Sequence, residues 1–273
     1  MIFLLSCESF FPKIKHKSYR YTILHNKQKS IYKYHNISNY FDDHPQLQDK
    51  KILSIYPAGL KGFYQMGITT YMKKNMDLDS FIFNGASAGA WNSLLLSYKG
   101  NIDIFKEMIL SIDYESSASI FEMQKRFKKK IIEKFSSDDF ELDKIYISVT
   151  VLDNFQFKTF TYTDFENLED ALDCIIASSN IPFITGKLIY IYRNKLCFDG
   201  GFKPNPFIYN QNPNISIYPF PNNKNNILID NSERLENYNE FQINNKIIHD
   251  LFYKGFYEAK KMKQVILNKL QIS

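Results

Sequence analysis

Phe81-Ile-Phe-Asn-Gly-Ala-Ser-Ala-Gly-Ala-Trp91 constrains this chain more than any other stretch. The apolar run Phe81 to Phe83 reads as a short buried strand that stops by Gly85, and a helical stretch from Ala88 to Tyr98 starts directly after Ser87. Strand, Gly-x-Ser-x-Gly and helix, in that order, is the layout of a nucleophile elbow, a sharp turn that projects a serine hydroxyl from the end of a sheet. Such a turn brings strand and helix so close together that its neighbours must be small. Gly85, Ala86, Ala88, Gly89 and Ala90 meet that demand on both sides of Ser87. The start of the helix adds free N–H groups and the positive end of a dipole, which suit a developing oxyanion.

The chain is otherwise poor in glycine, with 10 in 273 residues, about half the usual frequency. Seven of the ten (Gly59, Gly62, Gly67, Gly85, Gly89, Gly200 and Gly201) fall in three short windows. That clustering points to backbone geometry that only glycine permits. With a serine in one window and an aspartate in another, it favours chemistry over three ordinary turns.

In the first window, an apolar strand from Lys51 to Tyr56 runs into Pro57-Ala-Gly-Leu-Lys-Gly62. A helix follows over Phe63 to Lys74, with Met66, Ile68, Tyr71 and Met72 spaced as core positions. A strand, a tight loop and a helix can turn backbone N–H groups toward an oxyanion. The loop is not a phosphate-binding loop of the Walker type, because Lys61 is followed by glycine, and the dinucleotide spacing G-x-G-x-x-G is absent. In the third window, a strand from Lys195 to Phe198 delivers Asp199 at its end, where functional groups gather in open α/β sheets. A turn-capping aspartate is the alternative reading.

Helices are expected over Ile102–Ile112, Ser119–Phe135 and Leu168–Ser178, strands over Lys144–Leu152, Phe155–Tyr162 and Leu188–Tyr192, with Asn154 in a hairpin turn. In the second of those helices Lys125, Arg126, Lys128, Lys129, Lys130 and Lys134 stand opposite Phe121, Phe127, Ile131 and Ile132. An asparagine-rich stretch to about Asn245 reads as a loop, a candidate lid. Asn245 to Leu270 has the apolar spacing of an amphipathic helix, through Ile247, Ile248, Leu251, Phe252, Phe256, Ala259, Met262, Ile266 and Leu270.

Apolar content of 44%, with 16% aromatic residues, is enough for one large α/β core. Residues 1–50 read as a basic extension and linker, and 51–273 as a single domain. Cys7, Cys174 and Cys197 are odd in number and scattered, which suits reduced thiols in a cytoplasmic setting and offers no metal-ligand spacing. No run reaches membrane-spanning length, and Met1 to Leu5 lacks the basic flank of a signal peptide. A formal charge of +5 gives no reason to invoke nucleic acid. Residues 13–35 carry seven basic side chains and no acidic one. For this segment and for the helix at 125–134 two readings stay open: peripheral attachment to anionic lipid headgroups, or an ordinary solvated surface.

Together the three windows resemble the patatin-like phospholipase family. Pro57 to Gly62 is similar to that family's Gly-Gly-Gly-x-Arg/Lys-Gly loop, Phe83 to Ala90 to its Gly-x-Ser-Ala-Gly-Ala elbow, and Asp199-Gly200-Gly201 to its Asp-Gly-Gly or Asp-Gly-Ala. Ala177-Ser-Ser-Asn-Ile-Pro182 resembles its Ala-Ser-x-x-x-Pro stretch. The resemblance covers about residues 51–207, with the motifs in the family's order. It implies a three-layer α/β/α sandwich with a mainly parallel central sheet, acting on phospholipids or other acyl lipids. It also implies Ser87 as nucleophile and Asp199 as its partner in a dyad without histidine. Backbone N–H groups of Ala58, Gly59 and Leu60 would form the oxyanion hole, with Lys61, Gly62, Gly85, Gly89, Gly200 and Gly201 completing the motifs. No metal or organic cofactor is implied. The chain departs from the family at Pro57 and Ala58, which stand where glycines are usual, and Pro57 has no N–H to donate.

Three rivals remain at this stage. Ser87, Asp199 and His249 follow the chain order of an α/β-hydrolase triad. Pro57 in the loop motivates a catalytically weakened lipid-binding or interaction protein. An acyltransferase would use the same acyl-serine intermediate with a different acceptor.

Overall fold

Short apolar strands alternate with helices along most of the chain, and the fold follows from that alternation. The structure, a computed structural model, describes residues 50–117, 119–185, 187–202, 215–217, 226–227 and 244–272. Its elements are β1 (Lys51–Ile55), a 3₁₀ turn (Gly59–Lys61), α1 (Gly62–Asn75), β2 (Phe81–Gly85), α2 (Ala88–Ser97), α3 (Ile102–Leu110), α4 (Ile120–Lys134), β3 (Ile145–Asp153), β4 (Gln156–Tyr162), α5 (Leu168–Ser178), β5 (Tyr190–Tyr192), β6 (Lys195–Phe198), β7 (Ile215–Ile217), β8 (Asn226–Ile227), α6 (Asn245–Lys261) and α7 (Lys263–Ile272). The proposed N-terminal extension and most of the candidate lid lie outside the described residues.

The sheet order is β5-β6-β3-β2-β1-β7-β8, with β4 also on β3. The β8, β7, β1, β2 and β3 pairings are parallel, while β4 and β6 lie antiparallel to β3 and β5 antiparallel to β6. Helices flank this sheet in the expected α/β/α arrangement. The parallel strands carry Leu53, Ile55, Ile82, Phe83, Ile145, Ile147 and Val149, all buried, as strands covered on both faces require.

The pairings of β3 decide where the site forms. Ile147 pairs with Tyr162 of β4 and also with Gly85 of β2, so those two strands take opposite edges. Thr150 pairs with Thr159 of β4 and also with Phe198 of β6. Therefore β2 and β6 share one edge of β3 and run toward each other, their C-terminal ends meeting beside Ser148 and Val149.

Local sequence sets the element ends. Asn101, Ser119, Asn167 and Asn244 cap α3, α4, α5 and α6, their side chains accepting from Asp103 N, Glu122 N, Asp170 N and Ile247 N. The β3–β4 and β5–β6 hairpins turn on two residues each, Asn154-Phe155 and Arg193-Asn194, all four at positive φ. That is the backbone twist that two-residue hairpins favour.

The longest helix–helix seam joins α1 to α6, and glycine makes it possible. A Cβ on Gly67 would lie 2.0 Å from the Phe252 carbonyl oxygen, and one on Gly255 2.0 Å from that of Tyr64. Gly67 thus serves helix packing, not chemistry as its clustering with Gly59 and Gly62 suggested. Nearby, the Tyr64 hydroxyl donates to Glu258.

Three expectations need correction. The last helix breaks at Met262 (φ −92°, ψ 12°), yet Ile266 and Leu270 still face inward, so the apolar period runs on through the break. The strand expected from Leu188 begins at Tyr190; Leu188 and Ile189 are exposed. In α4 the buried face is Ile120, Met123, Gln124, Phe127 and Ile131. Ile132 is exposed, and Phe121, only partly buried, lies under the ammonium groups of Lys125 and Lys187.

Candidate active site

β2 ends at Gly85, and the chain must reverse into α2 within three residues. A Cβ on Gly85 would meet the Gly89 carbonyl at 2.3 Å, and one on Gly89 the Ile55 carbonyl at 2.0 Å. Glycine at both positions is what lets the turn close against β1. Between them Ser87 takes φ 53° and ψ −124°. A serine held there is strained, and surrounding packing must enforce the conformation. Its side chain does not cap α2.

The elbow is held from behind by Ser178, at the end of α5. The Ser87 N–H donates to Ser178 Oγ at 2.8 Å, and Ser178 Oγ donates on to the Ser148 carbonyl of β3 at 2.7 Å. The Ser178 carbonyl in turn accepts from Gly200 N, and the Asn180 carbonyl from Asp199 N, each at 2.8 Å. One short segment, 178–180, therefore fastens both the serine turn and the aspartate turn. The sequence showed this segment as a motif, but its role as a brace is visible only in three dimensions.

Asp199 leaves the end of β6, only 6% exposed. Its Oδ1 accepts from Gly201 N at 2.7 Å. Burial pushes its carboxyl up from the ordinary range to about 6, with the Ser87 hydroxyl and the Gly201 N–H pulling the other way. The hydroxyl is near enough to favour the ionised form yet does not close a hydrogen bond of ordinary geometry. Asp199 Oδ2 is left without a partner among the described residues.

Ser87 and Asp199 open into one cavity of about 250 Å³. Much of its lining is apolar, with Phe63, Met66, Trp91, Ile120, Met123 and Phe127, and Asn92 and Gln124 each bring an amide to it. The face of α4 turned away from its basic residues, through Ile120, Met123, Gln124 and Phe127, lines this cavity. Part of its charge is internally matched, through Lys125–Glu122, Lys128–Asp173 and Lys129–Glu133.

Ala58, Gly59 and Leu60 line the same cavity. Ala58 has φ −146°, and the turn into the 3₁₀ segment is made by Gly59 at φ 53°. Pro57 packs on Gly201, whose Cβ, if present, would lie 2.8 Å from Pro57 Cγ. The N–H groups of residues 58–60 make no hydrogen bond among the described residues. In the elbow helix the Gly89 and Ala90 N–H groups are taken by Ala86 and Ser87 carbonyls, which leaves that of Ala88. Lys61 is buried, and Gly62 sits where a Cβ would strike Ala88 Cβ at 2.5 Å. His249 is elsewhere: its Nε2 faces the Leu110 carbonyl at 3.0 Å, and it does not line the cavity.

Residues 58–210 match the family model described as patatin-like phospholipase. The chain belongs to the patatin-like phospholipase family. No curated protein matches it individually. The match covers the loop at 58–62, the elbow and Asp199 together, so every lining residue of the cavity but Pro57 falls in the patatin-like part of the chain. Patatin-like proteins are lipid acyl hydrolases, and acyl lipids are the substrates of the family. Among the described residues no helix is long and apolar enough to cross a membrane.

Proposed function

We infer that this patatin-like protein hydrolyses acyl esters of phospholipids or lysophospholipids through a Ser87–Asp199 dyad. The observation that carries the reading is the pairing, in one apolar cavity, of a serine at φ 53° with a buried carboxylate oxygen that has no hydrogen-bond partner among the described residues. The ionised Asp199 takes the Ser87 proton as Oγ bonds to the ester carbonyl carbon. The carbonyl electron pair moves onto oxygen, and the N–H groups at 58–60, with that of Ala88, stabilise the oxyanion. When the pair returns, the C–O bond to the alcohol breaks and Asp199 hands it the proton. Water, deprotonated by Asp199, then attacks the acyl-serine; the fatty acid leaves and Ser87 regains its proton. Phe63, Trp91 and Phe127 hold the acyl chain and keep bulk water from the ester.

Labelling with a fluorophosphonate tests this. Ser87 is expected to carry the label, and Ser87→Ala to lose labelling and phospholipid hydrolysis together. His249→Ala should keep both. A folded His249→Ala protein without turnover would restore the triad and remove the dyad, and an active Ser87→Ala protein would remove the hydrolase reading.

A further inference from the structure

Beside the cavity mouth the chain builds a ridge from residues that normally avoid water. Phe183 is 84% exposed, Ile184 49%, Leu188 57%, Ile189 57% and Ile191 64%. The ridge is constructed rather than slack. Ile184 N and Thr185 N both bond the Ile181 carbonyl, and Thr185 Oγ1 accepts from Ile181 N and donates to the Ser179 carbonyl. That tight turn holds Phe183 at φ 66° with its ring in solvent. A bulky residue in the left-handed region is a true outlier, and such strain gathers where function requires it.

The ridge continues into the sheet. Ile191 pairs with Leu196, Leu196 with Leu152, and Leu152 with Phe157, which puts all four on one face. The Phe157 ring is 5.3 Å from that of Phe202, itself 55% exposed and directly after Asp199-Gly-Gly. An apolar face thus runs from Ile191 to the aspartate loop, and the exposed side chains of Leu188 and Ile189 lead into it from the turn. At its base, Ser179, Ile181 and Thr185 line the cavity.

We propose that this face, from Phe183 through Ile191 to Phe202, is where the protein enters the surface of a lipid layer. The proposal rests on the lipid hydrolase reading for its occupant, since a ridge continuous with an acyl-lipid cavity meets whatever holds the substrate. Charge agrees with it. Residues 181–198 contain Lys187, Arg193 and Lys195 and no acidic side chain. Arg193 and Lys195 are paired with Asp170 and Asp153. Lys187 sits on the Phe121 ring at the edge of the ridge, placed to meet phosphate oxygens while the apolar side chains insert. An exposed apolar patch of this kind marks an interaction surface, and here the adjoining cavity says which kind. The docking surface is therefore the 183–191 ridge, not the outer face of α4, where Lys125, Lys128 and Lys129 are ion-paired.

The test compares the intact protein with a Phe183→Ser/Leu188→Ser double variant, neither position lining the cavity. Sedimentation with phosphatidylcholine vesicles, with and without phosphatidylserine, reads binding; a soluble short-chain ester reads the cavity. The intact protein is expected to bind both vesicle types. The variant should bind at least about tenfold more weakly and lose vesicle hydrolysis in proportion, with soluble-ester turnover within about twofold. Equal vesicle binding by the variant would overturn the proposal, as would no binding by the intact protein, or a parallel loss of soluble-ester turnover. A change from dimer to monomer with vesicle binding intact would assign the ridge to self-association and overturn it too. Ridge-dependent binding by a protein that cleaves no lipid would leave the docking face standing and remove only the hydrolase reading.

Discussion

Asp199 carries the sharpest consequence at the level of single residues. Its carboxyl is pushed up to about 6 by burial, and only its ionised form can take a proton from Ser87. Turnover of a soluble ester should therefore rise with pH through about 6 and level off above. The sign for stability is opposite. The folded-state value lies above that of the unfolded chain, so the group's contribution is fully present below about pH 4 and is lost as pH rises through about 6. About 3 kcal/mol of stability is withheld at neutral pH. Asp199→Asn removes that cost together with the proposed base. The variant is expected to fall by orders of magnitude in kcat and yet melt higher than wild type at pH 8, the gap closing by about pH 4. Paired pH-rate and pH-melting curves check both, and a variant that melts lower at every pH would contradict the burial argument.

Among the elements, α5 matters through its last residue. Ser178 Oγ joins the elbow to β3, and the Ser178 carbonyl holds the turn after β6. Ser178→Ala leaves a buried N–H and a buried carbonyl unpaired, which costs about 1–3 kcal/mol. It also frees Ser87 to leave φ 53°. Kinetics well below the melting temperature should show kcat down about tenfold or more with KM nearly unchanged, as expected when only the orientation of a reacting group is lost. Unchanged kcat would make the contact merely structural. This brace also marks the limit of what the sequence discloses. The elbow is legible because small residues at fixed spacing encode a local backbone shape, and Asp199 because it ends a recognisable strand. Ser178 meets Ser87 across 91 positions, and no local pattern records that meeting. The exact lining stripe of α4 is obscured for a related reason: Phe127 and Ile131 are legible, but Phe121 and Ile132 hide the 120-123-127-131 spacing, and only the neighbours decide which side is inside.

For the molecule as a whole, the α1–α6 seam ties the helix that follows the 58–61 turn to a late part of the chain. Gly67→Ala gives a direct reading of that seam. Helix propensity alone would stabilise by about 1 kcal/mol, whereas a Cβ 2.0 Å from the Phe252 carbonyl should cost about 1–3 kcal/mol. The sign of the change in melting temperature decides between them, and a rise would show that the helices separate freely. The head-on meeting of β2 and β6 along one edge of β3 has a temporal consequence. Ser87 leaves the ribosome well before Asp199, and the long-range closure that brings β6 onto β3 is slow compared with making the local turn. On the proposed dyad, a nascent chain already holding its serine has no base to activate it. Completion of the fold is then the event that would arm the proposed enzyme, and a chain stalled in synthesis before β6 would carry its serine without a base.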